Sequence, residues 1–202
     1  MNTPRVPAGC ALATALAGLL LAAGCAKQQQ AAPAAPALSA SLPGGLAPRA
    51  SVLDLMLDLV DPNADELWES VATISTRAGV EERRPRTDEQ WQAARRRAMT
   101  LVETANLLVI DGRQVARPGQ TLDDPPGQGD FTPAQSQAAI DTDRASFVGF
   151  ARAFQGAAGE MLDAIEKRDA DALLQTGGVL DEACENCHRR FWYPNSPLPP
   201  GV

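Results

Sequence analysis

The feature that most constrains this 202-residue chain is Cys184-Glu185-Asn186-Cys187-His188, near its C-terminal end. C-x-x-C-H is the pattern that attaches a c-type haem, and the chemistry dictates the spacing. The two thiols add to the two vinyl groups of one haem, and the imidazole that follows ligates its iron. Positions i, i+3 and i+4 share one face of a helix. A helix through this stretch therefore lets Cys184, Cys187 and His188 reach one flat ligand. His188 is also the only histidine, so no other side chain can bring imidazole to a metal. A thioredoxin-like redox pair calls for a strand–helix setting, and no strand-like alternation lies nearby. A zinc site calls for a fourth ligand, usually from a second Cys/His pair, and the exported chain offers none. The reading is one covalent haem c, with the rest of the chain delivering, enclosing and tuning it.

Delivery is written at the other end. One basic residue, Arg5, precedes an apolar run from Ala11 to Ala23, too short to span a bilayer, and then Gly24-Cys25. Residues 1–24 read as a secretory signal peptide. Leu21-Ala22-Ala23-Gly24-Cys25 resembles a bacterial lipobox, in which the peptidase cuts before a cysteine that then carries the lipid. The departure is that Leu21 stands one place further from the cysteine than usual. Four cysteines are then accounted for: Cys10 leaves with the signal, Cys25 is lipidated, and Cys184 with Cys187 hold haem. No cysteine remains for a disulfide, although the oxidising side of the membrane permits one.

Removing Arg5 with the signal takes the formal charge from −7 to −8. An acidic balance speaks against nucleic acid as a partner. It also speaks against binding anionic lipid by charge, so the acyl chains must hold the membrane. Residues 25–49 read as a lipid-anchored tether rich in Ala and Pro (Ala31-Ala32-Pro33-Ala34-Ala35-Pro36, then Pro43 and Pro48), because repeated proline favours extended polyproline II. At about 3 Å per residue, such a tether reaches at most roughly 70 Å.

From residue 50 onward the apolar period is helical. Val52, Leu55/Met56 and Leu59/Val60 share one face. Asp61-Pro62 then interrupts, either as a cap and start of a second piece or as a kink in one helix. That piece is predicted to run from Pro62 to about Arg77, burying Leu67, Val71, Ile74 and Ala78, with Gly79 as its stop. Thr87 and Gln90 form a capping box for a helix carrying Trp91, Ala94, Ala98, Leu101, Ala105 and Leu108, and ending near Asp111-Gly112. A long loop follows over Pro118 to Asp130. Thr132-Pro133-Ala134-Gln135 repeats the start signal for a third helix bearing Phe147, Phe150, Phe154, Met161 and Ile165. Asp169 or Asp171 caps the fourth, where Gly177-Gly178 can loosen or bend the helix. Val179, Leu180, Cys184, Cys187, His188 and Phe191 make its haem-side face. The predicted fold is all-α, an antiparallel four-helix bundle over residues 50–202, since that is the simplest way to bury four apolar stripes.

A bundle whose C-x-x-C-H, Cys184 to His188, lies near the end of the last helix, with aromatic Phe191 three residues on, resembles the cytochrome c′ family. Ordinary monohaem cytochromes c carry the motif near the N-terminus. The resemblance implies a haem between the helices, with His188 on one side of the iron. Relatives divide over the other side. Some leave it open behind an apolar residue of the first helix and bind nitric oxide or carbon monoxide. Others place a first-helix Met there and carry electrons. Met56 stands on the apolar face of the first helix and is the candidate sixth ligand, a soft sulfur that raises the potential. Plain core packing is its alternative, and Met99 and Met161 rank behind it. Several gas-binding relatives carry Arg four residues after the haem histidine, where this chain has Trp192. Relatives often pair through their first two helices, so a homodimer is an expected arrangement.

Arg95-Arg96-Arg97 reads as a solvated helix face, and Trp68, Trp91 and Trp192 suit either haem contact or packing. No paired carboxylates, Ser/His/Asp set or phosphate loop is found. With its only histidine assigned to iron, the chain has no evident acid–base agent. The functional expectation is a non-enzymatic, periplasm-facing bacterial lipoprotein that exchanges single electrons with redox partner proteins. The alternative is a five-coordinate haem protein that binds nitric oxide or carbon monoxide.

Overall fold

The computed structural model describes residues 47–120 and 129–195. The signal segment 1–24, Cys25 and nearly all of the tether 25–49 lie outside the described residues. The described chain is mostly helical, with one small antiparallel sheet.

The first helical segment opens at Ser51. Its hydroxyl accepts the Asp54 N–H at 3.0 Å, and the Asp54 carboxylate accepts the Ser51 N–H at 2.8 Å, a reciprocal capping box. α1 (Val52–Leu55) leads into a π-helical turn, Met56–Val60, and on into α2 (Asp61–Ser70). Pro62 has no N–H to donate backwards. The ladder widens just before it: the Asp61 N–H bonds to the Met56 carbonyl, and Asn63 Nδ2 donates to the Leu59 carbonyl at 2.8 Å. The segment is continuous, and α2 has no side-chain cap. Asp61 is therefore the first residue of α2 and not its cap, and of the two expectations the continuous segment is the one found.

The helix predicted to reach Arg77 ends at Ser70 instead. Ala72–Thr76 forms strand β1 and Gly79–Arg83 strand β2, paired antiparallel with Thr76 opposite Gly79 and Ala72 opposite Arg83. The β-branched residues Thr73, Ile74, Thr76 and Val80 favour extended backbone. Gly79 supplies the φ of +134° that the turn needs. Val71 is still buried, but Ala78 is exposed, so the predicted apolar helix face stops at Val71.

The Thr87/Gln90 capping box opens α3 (Asp88–Leu108) as expected. The loop beyond α3 holds the start of the chain's first segment. Gln114 and Val115 carbonyls accept the N–H groups of Val52 and Leu53, each at 2.9 Å. Arg117 and Gln120 both donate to Asp54 at 2.8 Å.

The predicted third helix is two helices. α4 (Pro133–Thr142) starts at the expected Thr132/Gln135 box, and α5 (Arg144–Glu166) starts afresh at Asp143. The Asp143 side chain accepts the Ser146 N–H at 3.3 Å and the Arg190 guanidinium at 3.0 Å. An aspartate that caps so well competes with helix continuation. α6 (Ala170–Phe191) is capped by Asp169, while Asp171 pairs with Arg84 at 2.5 Å. α6 runs unbroken through Gly177-Gly178, so the glycines do not interrupt it.

α5 is the central helix. Its stripe of Phe147, Ala151, Phe154, Ala158, Met161 and Ile165 is buried between α3 and α6. α3 meets it with Leu101 and with Ala94, Ala98 and Ala105, small residues that let two helices approach closely. α2 packs on α3 through fully buried Leu67, and reaches α6 where Trp68 lies against Gly177. α6 gives Leu173 and Leu180 to this core, whereas Val179 is 43% exposed and leaves the predicted haem-side face.

The Ser51 N–H bond, with Arg117 and Gln120 beside it, lowers the Asp54 carboxyl from 3.8 to about 2. A depressed carboxyl stabilises the fold above its unfolded value and loses that contribution as pH falls towards the folded one. Asp54→Asn should therefore melt below the native protein at pH 7, and the gap in thermal midpoint should close as pH falls from about 4 to about 2.

Candidate haem site

Cys184, Cys187 and His188 stand on one face of α6, each half-buried, between buried Leu180 and Ala183 on one side and buried Phe191 on the other. The helical spacing expected from the motif is present. Phe191 fixes the helix against α5 by edge-to-face contacts with Phe147 (centroids 5.6 Å, planes at 82°) and Phe150 (6.0 Å, 83°). Arg190 lies over the Phe191 ring at 5.2 Å and pairs with Asp143, tying this end of α6 to the start of α5. Arg189 and Arg190 in the last turn suit the negative end of the helix dipole.

Past the helix end the chain folds back over the histidine. The N–H groups of Trp192 and Tyr193 both donate to the His188 carbonyl, at 2.7 and 3.0 Å. The Trp192 ring lies edge-on to the imidazole at 5.1 Å, and the Tyr193 ring is 5.9 Å away. The Tyr193 hydroxyl donates to Glu185 Oε1 at 2.5 Å, and Glu185 also pairs with Arg189 at 3.2 Å. The Trp192 carbonyl accepts the Phe131 N–H at 2.6 Å, so the far end of the long loop is joined to the same place.

Burial lowers the pKa of His188, against the opposing pull of Glu185 and Asp61. The imidazole is thereby held neutral, with a nitrogen lone pair free to ligate. Burial, with Asp181, Asp61 and Glu185 nearby, pushes the Cys184 thiol up to about 11. Burial and the neighbouring Cys184 push Cys187 up to about 12. A disulfide-exchange pair needs a depressed thiol pKa, so these values turn the site further from thioredoxin-like chemistry. Among the described residues, no group of three or more His, Cys, Asp and Glu side chains is placed to hold a metal ion by itself. A cavity of about 440 Å³ lies elsewhere, between α2, the end of β2 and α3. Its walls carry the ion pairs Arg84–Glu82 and Arg97–Glu66 and none of the predicted site residues.

The other predicted residues fall as follows. Met56 begins the π turn, half-buried against the core. Met161 is fully buried within α5, as its packing role requires, and Met99 is half-buried on α3. Trp91 is buried in the core, Trp68 packs on α6, and Trp192 borders His188. In the arginine run, Arg95 pairs with Glu166 at 3.3 Å and Arg97 with Glu66, while Arg96 is exposed. Sequence reasoning missed Asp61 as a charge facing Cys184 and His188, and Tyr193 as the partner of Glu185. The second carried a signal: Tyr193 is the only tyrosine and follows the helix end directly.

Residues 119–192 match the family model described as Cytochrome C′, and over that stretch the chain is cytochrome c′-like. The match takes in α4, α5 and α6 and leaves out the first helical segment, the hairpin and α3. No curated protein and no solved structure matches the chain. The family implies covalently bound haem c. The donor set fits that group: two thiols and a neutral imidazole on one half-buried helical face.

Truncating Phe191 removes both edge-to-face contacts and opens a cavity beside the motif. Phe191→Ala should lower unfolding free energy by about 3–5 kcal/mol, read from urea melts.

Proposed function

We propose, for a chain of the cytochrome c′-like family, that this protein is a monohaem c-type electron carrier built as a four-helix bundle. In this reading Cys184 and Cys187 would hold the haem through thioethers, and His188 and Met56 would ligate its iron. The observation that carries it is how the first helical segment lies against α6. Trp68 meets Gly177. Seven residues up each antiparallel helix, Asp61 and Cys184 come level, and the Asp61 charge is felt at both Cys184 and His188. Five residues beyond Asp61, across the π turn, is Met56, and four residues beyond Cys184 on α6 is His188. Met56 therefore lies towards the end of α6 that carries His188, which supports it as the second ligand.

The bound haem supplies a one-electron couple. The residues around it hold and screen. Burial keeps the His188 imidazole neutral, and the contacts with Trp192 and Tyr193 restrict its ring. The bonds from the loop to Val52, Leu53 and Asp54 hold the start of the segment that carries Met56. Two protein ligands that stay bound require little rearrangement, which suits electron exchange with a partner protein. With its one histidine given to the iron, the chain keeps no imidazole for acid–base catalysis. We further propose that residues 1–24 are removed, that Cys25 carries lipid, and that 25–49 tethers the bundle over residues 50–202 to a membrane on the periplasmic side. The family match fits an exported protein.

The visible spectrum of the reduced protein, with and without carbon monoxide, tests the ligation. The native protein should be low-spin and resist carbon monoxide, and Met56→Ala should turn high-spin and bind it readily. A native high-spin spectrum that converts at once on adding carbon monoxide would overturn the electron carrier in favour of the gas-binding reading. Fractionation tests the anchor: Cys25→Ser should move the protein from the membrane to the soluble fraction.

A further inference from the structure

α6 has two adjacent glycines at mid-helix, and their surroundings differ. A β-carbon on Gly178 would meet nothing within 4 Å, whereas one on Gly177 would lie 3.1 Å from Cδ1 and 3.4 Å from Nε1 of Trp68. The Trp68 indole N–H donates to the Gly177 carbonyl at 3.1 Å. That carbonyl already lies within the helix ladder, and a second lone pair remains for the indole. Glycine weakens a helix interior relative to alanine. At 177 the missing side chain lets an aromatic ring lie directly on the backbone, with a directional bond that fixes where along α6 it sits.

This contact has leverage. The first helical segment is held at its start by the loop bonds to Val52, Leu53 and Asp54, and near its end by Trp68. Between the two lies the π turn, where the helical phase changes and where Met56 stands. Sliding α2 along α6 at Trp68 would shift Met56 along α6 relative to His188. We infer that the Trp68–Gly177 contact is a positioning latch that sets the height of the first helical segment along α6 and so brings Met56 to the iron. Trp68 and Gly177 are positioning residues, and the inference rests on the reading of Met56 as sixth ligand.

The test uses the haem-loaded protein and compares Gly177→Ala with Gly178→Ala. Both make the same gain in helix propensity, but only the first pushes on the indole. Gly178→Ala should keep the native spin state and carbon monoxide kinetics. Gly177→Ala should raise the high-spin fraction and speed carbon monoxide capture by about tenfold or more. Trp68→Phe, which keeps a ring and loses the donor, should shift both readouts the same way and serves if Gly177→Ala folds poorly. Met56→Ala, measured in parallel, separates two failures. If Met56→Ala changes the spectrum while Gly177→Ala and Trp68→Phe match Gly178→Ala, the latch is wrong and the ligand reading stands. Equal effects at both glycines also overturn the latch. If Met56→Ala is silent, the ligand reading falls and takes the axial role of the latch with it.

Discussion

The burial of the α5 stripe is the constraint on which the rest depends. Phe147, Phe154, Ala158, Met161 and Ile165 occupy one side of a 23-residue helix and can be removed from water only by helices on both flanks. α3 covers one flank with small residues, and α6 covers the other with Leu173, Leu180 and Phe191. Once α6 is committed to α5 through those three, helical periodicity puts Cys184 and Cys187 in line with Leu180 and Phe191, with His188 beside them, all half-buried. The chemistry sits where it does because the core stripe of α6 runs straight through the motif.

The first helical segment is held by different forces. It packs on α3 through Leu67, yet its two ends are set by directional polar bonds, from the loop after α3 at Asp54 and from Trp68 to Gly177. Apolar packing tolerates sliding; hydrogen bonds of this kind specify register. The π turn beside Pro62 joins the two fixed ends. A proline that removes a donor is answered by widening one turn, and the residue that opens that turn is Met56.

The run Val71 to Thr76 was read at helical spacing from Leu67, Val71, Ile74 and Ala78, but the β-branched residues between them, with Gly79 and Val80 beyond, make a hairpin. Over so short a stretch both periods can be fitted, and side-chain shape decides. Asp143 divides an otherwise continuous helical pattern because its carboxylate is used by Ser146 and Arg190. The first can be read locally, since aspartate three residues before serine is an ordinary cap. The second depends on a residue 47 positions away. Ser51 with Asp54 was a capping signal present in the sequence and overlooked.

What the sequence alone determined was local: the C-x-x-C-H motif from Cys184 to His188, the capping boxes at Thr87 and Thr132, the apolar stripe of α5, and where α3, α4 and α6 begin. Each follows from bonds or periodicities within a few residues, which the order of residues states directly. Tertiary structure alone decided which charges face the motif, that Trp192 and Tyr193 fold back on His188, and that Trp68 rests on Gly177. Those contacts join groups on different elements or across a helix end. Their distances depend on how whole helices slide and turn against one another, a choice settled by packing the entire core at once. The opening motif therefore identifies the chemistry, and its setting comes from the fold.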